Sequence, residues 1–262
     1  MSLAQLTEQA GKVETLLLSA DYVADPLQAY QYLCQGKPHN LLLESAEIDS
    51  KDDLKSLLLV DAAIKLQCDG PIVTCQALTD NGAAVLPLFV EYCPAGVKHA
   101  FNQQTRTVTL TFTFAQEALD EDSRLKAPAV FDALRLLINR VVAIRSHPEA
   151  LFLGGAFAYD LLATFEQLPL VDDSDNTCPD FVFYLAETLL LIDHQAKKTE
   201  VIGSVFSGKN VGNNYFAISQ RLEQIKHKLR NVKPAPEIES RHVSPDELKI
   251  SKSDQEFIRD VE

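Results

Sequence analysis

Apolar residues recur along the chain at two spacings, every second position and every third or fourth, and these mark out strands and helices. The cleanest alternation is 107–114, TVTLTFTF, where Val108, Leu110, Phe112 and Phe114 share one face and threonines the other. SLLLVDAAIKLQCDG predicts a second strand. It meets IVTCQALT across Asp69-Gly70-Pro71, which predicts an antiparallel hairpin. Shorter strands are predicted at 12–18 and at Leu41–Leu43, the latter stopping at Glu44-Ser45. The polar stretch 46–55, AEIDSKDDLK, reads as a loop. ALFLGGAFAYDLLATF reads as a strand with a tight Gly154-Gly155 spot, continuing into a helix or loop. DFVFYLAETLLLIDH and TEVIGSVF add two strands either side of Ala196-Lys197-Lys198.

The wider spacing predicts helices. Asp25 and Pro26 form a cap and first turn ahead of Leu27, Tyr30, Leu33 and Cys34, and Gly36 and Pro38 end that helix. NGAAVLPLFVEYC reads as one helix despite Pro87 inside it. Residues 127–144 predict a helix with Phe131, Leu134, Ile138, Val141 and Val142 inward. Residues 215–230 predict another, with Phe216, Ser219, Leu222, Ile225 and Leu229 inward. Hairpins and runs of strands outnumber strand–helix alternation. The fold class expected is therefore α+β, mainly antiparallel sheet with flanking helices.

Pro234-Ala235-Pro236 opens a polar stretch, which divides the chain into a region 1–232 and a segment 233–262. Ser253 and Glu256 have capping-box spacing, and Phe257, Ile258 and Val261 begin an apolar face. The chain stops at Glu262, short of the roughly 12 residues a lone helix needs. A helix begun and not finished is the expected front of something longer; a frayed tail is the alternative.

Composition narrows the function. The 262 residues carry 24 Lys plus Arg against 37 Asp plus Glu, a formal charge of −13. That field repels phosphate backbones and anionic membranes, so neither nucleic acid nor membrane is an expected partner. No apolar run approaches the roughly 18 residues of a membrane helix, and the N-terminus does not read as a secretory signal. Five scattered cysteines without a C-x-x-C pair fit free thiols in a reducing, cytoplasmic setting.

No complete G-x-G-x-x-G or G-x-x-x-x-G-K-[ST] phosphate cradle, no H-E-x-x-H and no G-x-S-x-G occurs in the sequence. The six histidines stand singly in polar contexts and read as surface residues. Asp160 and Glu166 lie six apart in an apolar setting, a functional pair or, more commonly, a structural one. The strand end Leu43-Glu44-Ser45, with Lys55 ten residues on, combines a carboxylate, a hydroxyl, an amine and apolar neighbours. A free amino acid needs an anion for its ammonium, donors for its carboxylate and an apolar slot for its side chain. Such residues are too common for this spacing alone to outweigh a solvated strand end.

The same segment, LLLESAEIDSKDDLKSLLLVDAAIKL, resembles the N-terminal signature of the large, chorismate-binding subunit of anthranilate synthase, component I, in its enteric-bacterial form. GGAFAYDLLATFEQLP resembles that family's G-G-x-x-x-Y-D…F-E-x-L-P stretch, with Ala156 and Ala158 where many relatives differ. CPDFVFYLAETLLLIDHQ resembles the strand pair that follows, and SDQEF the opening of the helix leading to the catalytic region. The resemblance implies an enzyme making anthranilate and pyruvate from chorismate and glutamine-derived ammonia, with Mg2+, as the first committed step of tryptophan synthesis. It implies feedback inhibition by tryptophan at a site including Leu43, Glu44, Ser45 and Lys55. It implies a glutamine amidotransferase partner, component II, and a two-sheet sandwich built from both halves of a subunit about twice this length. The chorismate and magnesium ligands would lie beyond residue 262, leaving this chain inactive alone, with apolar surface exposed and homo-oligomerisation possible. Two alternatives stay open: component I of aminodeoxychorismate synthase, and a stand-alone, non-catalytic module binding tryptophan or a partner.

Overall fold

The two longest apolar runs form the two longest strands, and their pairing is the spine of the fold. The computed structural model describes residues 6–44, 54–113, 123, 126–164, 177–233, 244 and 249–261. In chain order the strands are Lys12–Ala20 (β1), Leu41–Glu44 (β2), Lys55–Asp69 (β3), Ile72–Ala77 (β4), Lys98–Asn102 (β5), Thr107–Thr111 (β6), Val142–Ala143 (β7), Leu153–Phe157 (β8), Phe181–Asp193 (β9) and Lys198–Phe206 (β10). The helices are Pro26–Cys34 (α1), Asp80–Ala83 (α2), Leu86–Glu91 (α3), Asp132–Arg140 (α4), Val211–Leu229 (α5) and Asp254–Val261 (α6).

Among the described residues the strands form one ten-stranded sheet, ordered β5-β6-β4-β3-β9-β10-β1-β7, with β2 added to β3 and β8 to β9. Pairing is antiparallel except between β1 and β7. The expected α+β class and antiparallel character hold. The branching follows from strand length. β3, paired along one edge with β9, gives its other edge to β2 at residues 56–59 and to β4 at residues 64–69. β9 likewise gives its second edge to β8 at residues 181–185 and to β10 at residues 188–193. Bulges interrupt the β3–β9 register between Leu59 and Ile64.

The hairpin at Asp69-Gly70-Pro71 forms as expected, with Asp69 opposite Ile72 and Gly70 at φ +55°. The Gly70 N–H donates to the Asp180 carboxylate at 2.6 Å, fixing the turn against the start of β9. The α1 cap is also as read: Asp25 accepts from the Gln28 N–H at 3.0 Å. The Gly154-Gly155 spot is close packing, since a Cβ on Gly155 would lie 2.1 Å from the Val182 carbonyl oxygen.

Several helix readings are corrected. Residues 80–91 form two short helices, because Thr79 caps α2 through the Gly82 N–H and Pro87 sits in the first turn of α3, where its missing N–H costs nothing. The helix predicted at 127–144 runs only over α4, because Val141 turns extended and Val142–Ala143 pairs with β1. Its buried residues are Ala133, Leu134, Leu136 and Leu137, while Ile138 and Val142 are exposed. On α5 the buried face is Asn214, Ile218, Leu222, Ile225 and Leu229, and Phe216 faces out. Gly203 of β10 makes room for that face: a Cβ there would meet Ile218 at 2.7 Å and Leu222 at 3.1 Å. α1 and α5 cover one end of the sheet over Leu58, Val60, Leu190, Ile192 and Val201. α3 and α4 cover the other over Ile64, Leu66, Val73, Leu110 and Phe181.

Ser253 and Glu256 form the expected capping box, the Glu256 carboxylate accepting from the Ser253 N–H at 2.9 Å and Ser253 Oγ accepting from the Glu256 N–H at 3.3 Å. The Ser253 N–H and the Ser253 hydroxyl, which donates to the same carboxylate at 2.8 Å, hold the Glu256 carboxyl below its ordinary pKa. α6 buries no residue, and Phe257, Ile258 and Val261 are exposed.

Candidate functional site

β2 ends and β3 begins at one corner of the sheet. The antiparallel register sets Leu43 opposite Leu57 and Glu44 opposite Ser56, while Lys55 pairs with Asp193 of β9. Lys55 is thus the first residue of a strand, not part of the loop predicted for 46–55. Leu43, Glu44 and Lys55 come together at this corner; Ser45 lies outside the described residues. Strand pleating sends Leu43, Leu57 and Lys55 to one face and Glu44, with Ser56, to the other. A ligand touching both Glu44 and Lys55 must therefore straddle the strand end.

The Leu43 face is apolar. Leu41 and Leu57 pack against a small cluster of Leu59, Ala62, Ala186, Leu189 and Ile202, and Leu43 beside them is 45% exposed. Glu44 and Lys55 are exposed. The corner thus offers an apolar shelf, a carboxylate and an ammonium within two paired strands.

Behind the corner lies a chain of polar side chains. Ser56 Oγ is 2.8 Å from His194 Nε2, His194 Nδ1 is 2.9 Å from Tyr22 Oη, and Lys197 Nζ donates to Tyr22 Oη at 3.3 Å. The reading of solitary surface histidines is corrected here: His194 bridges two elements. His39 is also half-buried, near the Tyr184 hydroxyl, and burial lowers its pKa. The Ser56–His194 spacing is that of a nucleophile and its base. Ser56, however, is 2% exposed and holds strands together rather than facing a substrate.

A second polar group, which the sequence reading missed, sits at the β3–β9 bulges. Asp61 accepts from Thr188 Oγ1 at 2.6 Å and from Lys37 Nζ at 3.2 Å. Glu187, 2% exposed, accepts from Thr79 Oγ1 at 2.6 Å and pairs with Arg221 of α5 at 2.5 Å. Burial pushes the Glu187 carboxyl above the usual glutamate range, and Thr79, Arg221 and Asn81 only partly offset it. The signal available was a pair of carboxylates inside apolar strand runs, Asp61 and Glu187, facing an arginine on the buried side of α5.

Other candidates are weaker. A cleft of about 690 Å3 is lined by Asp80, Glu91, Arg106 and Lys209 among others, and one of about 590 Å3 lies beside α1; neither is lined by Leu43, Glu44 or Lys55. Glu166 lies outside the described residues, as does the placement of the Asp160 side chain. Among the described residues no cluster of three or more His, Cys, Asp or Glu side chains is arranged for a metal ion. The five cysteines are free thiols; burial raises Cys34 to about 11 and Cys68 to about 12. Among the described residues no helix is long and apolar enough to cross a membrane.

The fold defines a predominantly antiparallel α+β protein that presents an apolar and charged strand corner at its surface. The family follows from its relatives. The chain is 42% identical over 250 residues to anthranilate synthase component 1 of Escherichia coli (strain K12), covering 95% of the chain and 46% of that protein. It is 43% identical over 245 residues to the protein of that name from Salmonella typhimurium, covering 94% and 46%. It is 40% identical over 261 residues to that of Vibrio cholerae, covering 97% and 48%. No family model matches the chain. The chain belongs to the anthranilate synthase component 1 family, corresponds to its N-terminal portion, and spans about half the length of the curated relatives it matches.

Proposed function

We propose that this chain is the tryptophan-sensing, N-terminal part of an anthranilate synthase component 1, with residues 1–232 as the regulatory region and 233–262 leading towards the catalytic part. The complete subunit would convert chorismate and glutamine-derived ammonia to anthranilate and pyruvate, alongside a glutaminase component. The observation that carries the sensing reading is the strand corner, where Leu43, Glu44 and Lys55 meet across the β2–β3 register. Glu44 offers the anion for an amino acid's ammonium. Lys55 and the Ser45 hydroxyl offer donors for its carboxylate, and Leu43 with Leu57 offers apolar surface for an indole. The corner is open, so the rest of the pocket would come from the other part of the subunit. That part would also complete a two-sheet sandwich and supply the magnesium ligands. This chain alone would then lack lyase activity.

Ser45→Phe in the complete subunit is expected to relieve tryptophan inhibition, because a phenyl ring takes the ligand's space. Steady-state inhibition curves check it: an unchanged tryptophan response removes the site assignment. Calorimetric titration of this chain with tryptophan tests the open corner, and tight binding by the chain alone would contradict a pocket that needs a second wall.

A further inference from the structure

One residue holds Lys55 from both sides. The backbone N–H of His194 donates to the Leu54 carbonyl at 3.0 Å, and its ring Nε2 lies 2.8 Å from Ser56 Oγ. Its chain neighbour Asp193 pairs with Lys55, and Ser56 pairs with Glu44. The local placement of both Glu44 and Lys55 therefore depends on contacts made by His194.

One direction in this chain is set from outside. An ammonium has protons to donate and no lone pair, so Tyr22 Oη accepts from Lys197. Tyr22 Oη in turn shares a hydrogen bond with His194 Nδ1, and the opposite ring nitrogen, Nε2, shares one with Ser56 Oγ. Lys197 also stands 4.7 Å over the Tyr22 ring, and the Tyr22 and His194 rings meet edge-on at 84°. Lys197 itself is at φ +53°, held in the β9–β10 turn where the Asp193 carboxylate accepts from the Ala196 N–H at 2.7 Å. The imidazole is thereby held in one position, with Nε2 against the Ser56 side chain.

We propose that His194 is a positioning residue for amino-acid recognition at the strand corner, holding Lys55 and Glu44 in place through Ser56, with Tyr22 and Lys197 holding its ring in place. The inference rests on the reading of that corner as the tryptophan site. None of the three touches the ligand; each acts through the backbone of residues 54–56.

The test compares His194→Ala, His194→Gln, Tyr22→Phe and Lys55→Met in the full-length subunit with its glutaminase partner. The readouts are the tryptophan concentration for half-inhibition, uninhibited kcat and KM, and Tm. Tyr22→Phe keeps the ring and deletes one hydroxyl, and is expected to raise the half-inhibiting concentration about five-fold, the size of one lost hydrogen bond. His194→Ala is expected to raise it further. His194→Gln, whose amide can bond Ser56, is expected to recover most of the sensitivity, with kcat and KM at the wild-type level in the Tyr22 and His194 variants. If Lys55→Met loses sensitivity while His194→Ala and Tyr22→Phe keep it, this inference falls and the site assignment stands. If Lys55→Met also keeps it, the site assignment falls and takes the inference with it. If Tm, kcat and sensitivity fall together and glutamine rescues none of them, His194 is a structural clamp and the inference is overturned. Should His194→Ala not fold, Tyr22→Phe decides.

Discussion

Two polar networks cross the β3–β9 ladder, and they are built from different chemistry. At the bulges the groups are charged: Asp61, Glu187, Arg221 and Lys37. At the ladder's end the chain runs through two hydroxyls and an imidazole, Ser56, His194 and Tyr22, to the exposed Lys197. The first ties α5 and the α1–β2 connection to an irregular stretch of sheet; the second stands behind the proposed ligand corner. The contrast teaches where each kind of group is tolerated. A carboxylate as buried as Glu187 is held only by a cation and a hydroxyl aimed at it, so it serves as a fixed joint. An imidazole between hydroxyls can be adjusted at lower cost than a buried carboxylate, which suits its place behind the proposed ligand corner.

The largest effect separating the two is expected for Arg221→Ala. Glu187 would then keep the Thr79 hydroxyl but lose its cation at 2% exposure. Removing one partner of a buried pair costs on the order of 3 kcal/mol or more. Urea unfolding monitored by circular dichroism measures it. A loss no greater than that of Tyr22→Phe would erase the distinction between the networks.

Next in size is a pH effect confined to the charged network. Burial raises the Glu187 carboxyl above the usual glutamate range in the folded protein. Between the ordinary value and the raised one, the folded state binds a proton that the unfolded state has released. The Glu187 contribution to stability is therefore full below the ordinary glutamate pKa, and it is lost as pH rises through the folded one. Glu187→Gln is expected to remove that slope, and Arg221→Ala to steepen it. Unfolding free energies measured from pH 4 upwards (roughly the ordinary glutamate range) show whether the slope belongs to this residue. An unchanged slope in Glu187→Gln assigns it elsewhere.

The two networks also mark how far the sequence carries. The β3–β4 hairpin and β6 were legible because alternation and a turn sequence are local signals. The helical stripes were legible in existence but not always in phase. Ile218, Leu222, Ile225 and Leu229 fit the helical repeat better than a face containing Phe216, and the sheet settles the choice through the gap at Gly203. The corner of Leu43, Glu44 and Lys55 was legible through family resemblance, since its residue types are common. The chain behind it was not: Tyr22 and His194 are 172 positions apart, and Ser56 and His194 are 138 apart. Only the registers of β3 on β9, of β9 on β10 and of β10 on β1 bring such residues together.

The smallest expected effect is the stability cost of Tyr22→Phe. The Tyr22 ring keeps its edge-on contact with His194, and only the hydroxyl goes. Lys197 is exposed and regains water, so it leaves no buried orphan. His194 Nδ1 loses its partner but is half-buried, and water can take the place of the hydroxyl. The net cost of such a bond is about 1 kcal/mol, below the Arg221→Ala loss and independent of the Glu187 slope because the residues lie in separate networks. A double variant, Tyr22→Phe with Arg221→Ala, should therefore lose close to the sum of the single losses in the same urea titration. A departure from additivity of more than about 0.5 kcal/mol would mean that the two networks act as one unit through the β3–β9 ladder.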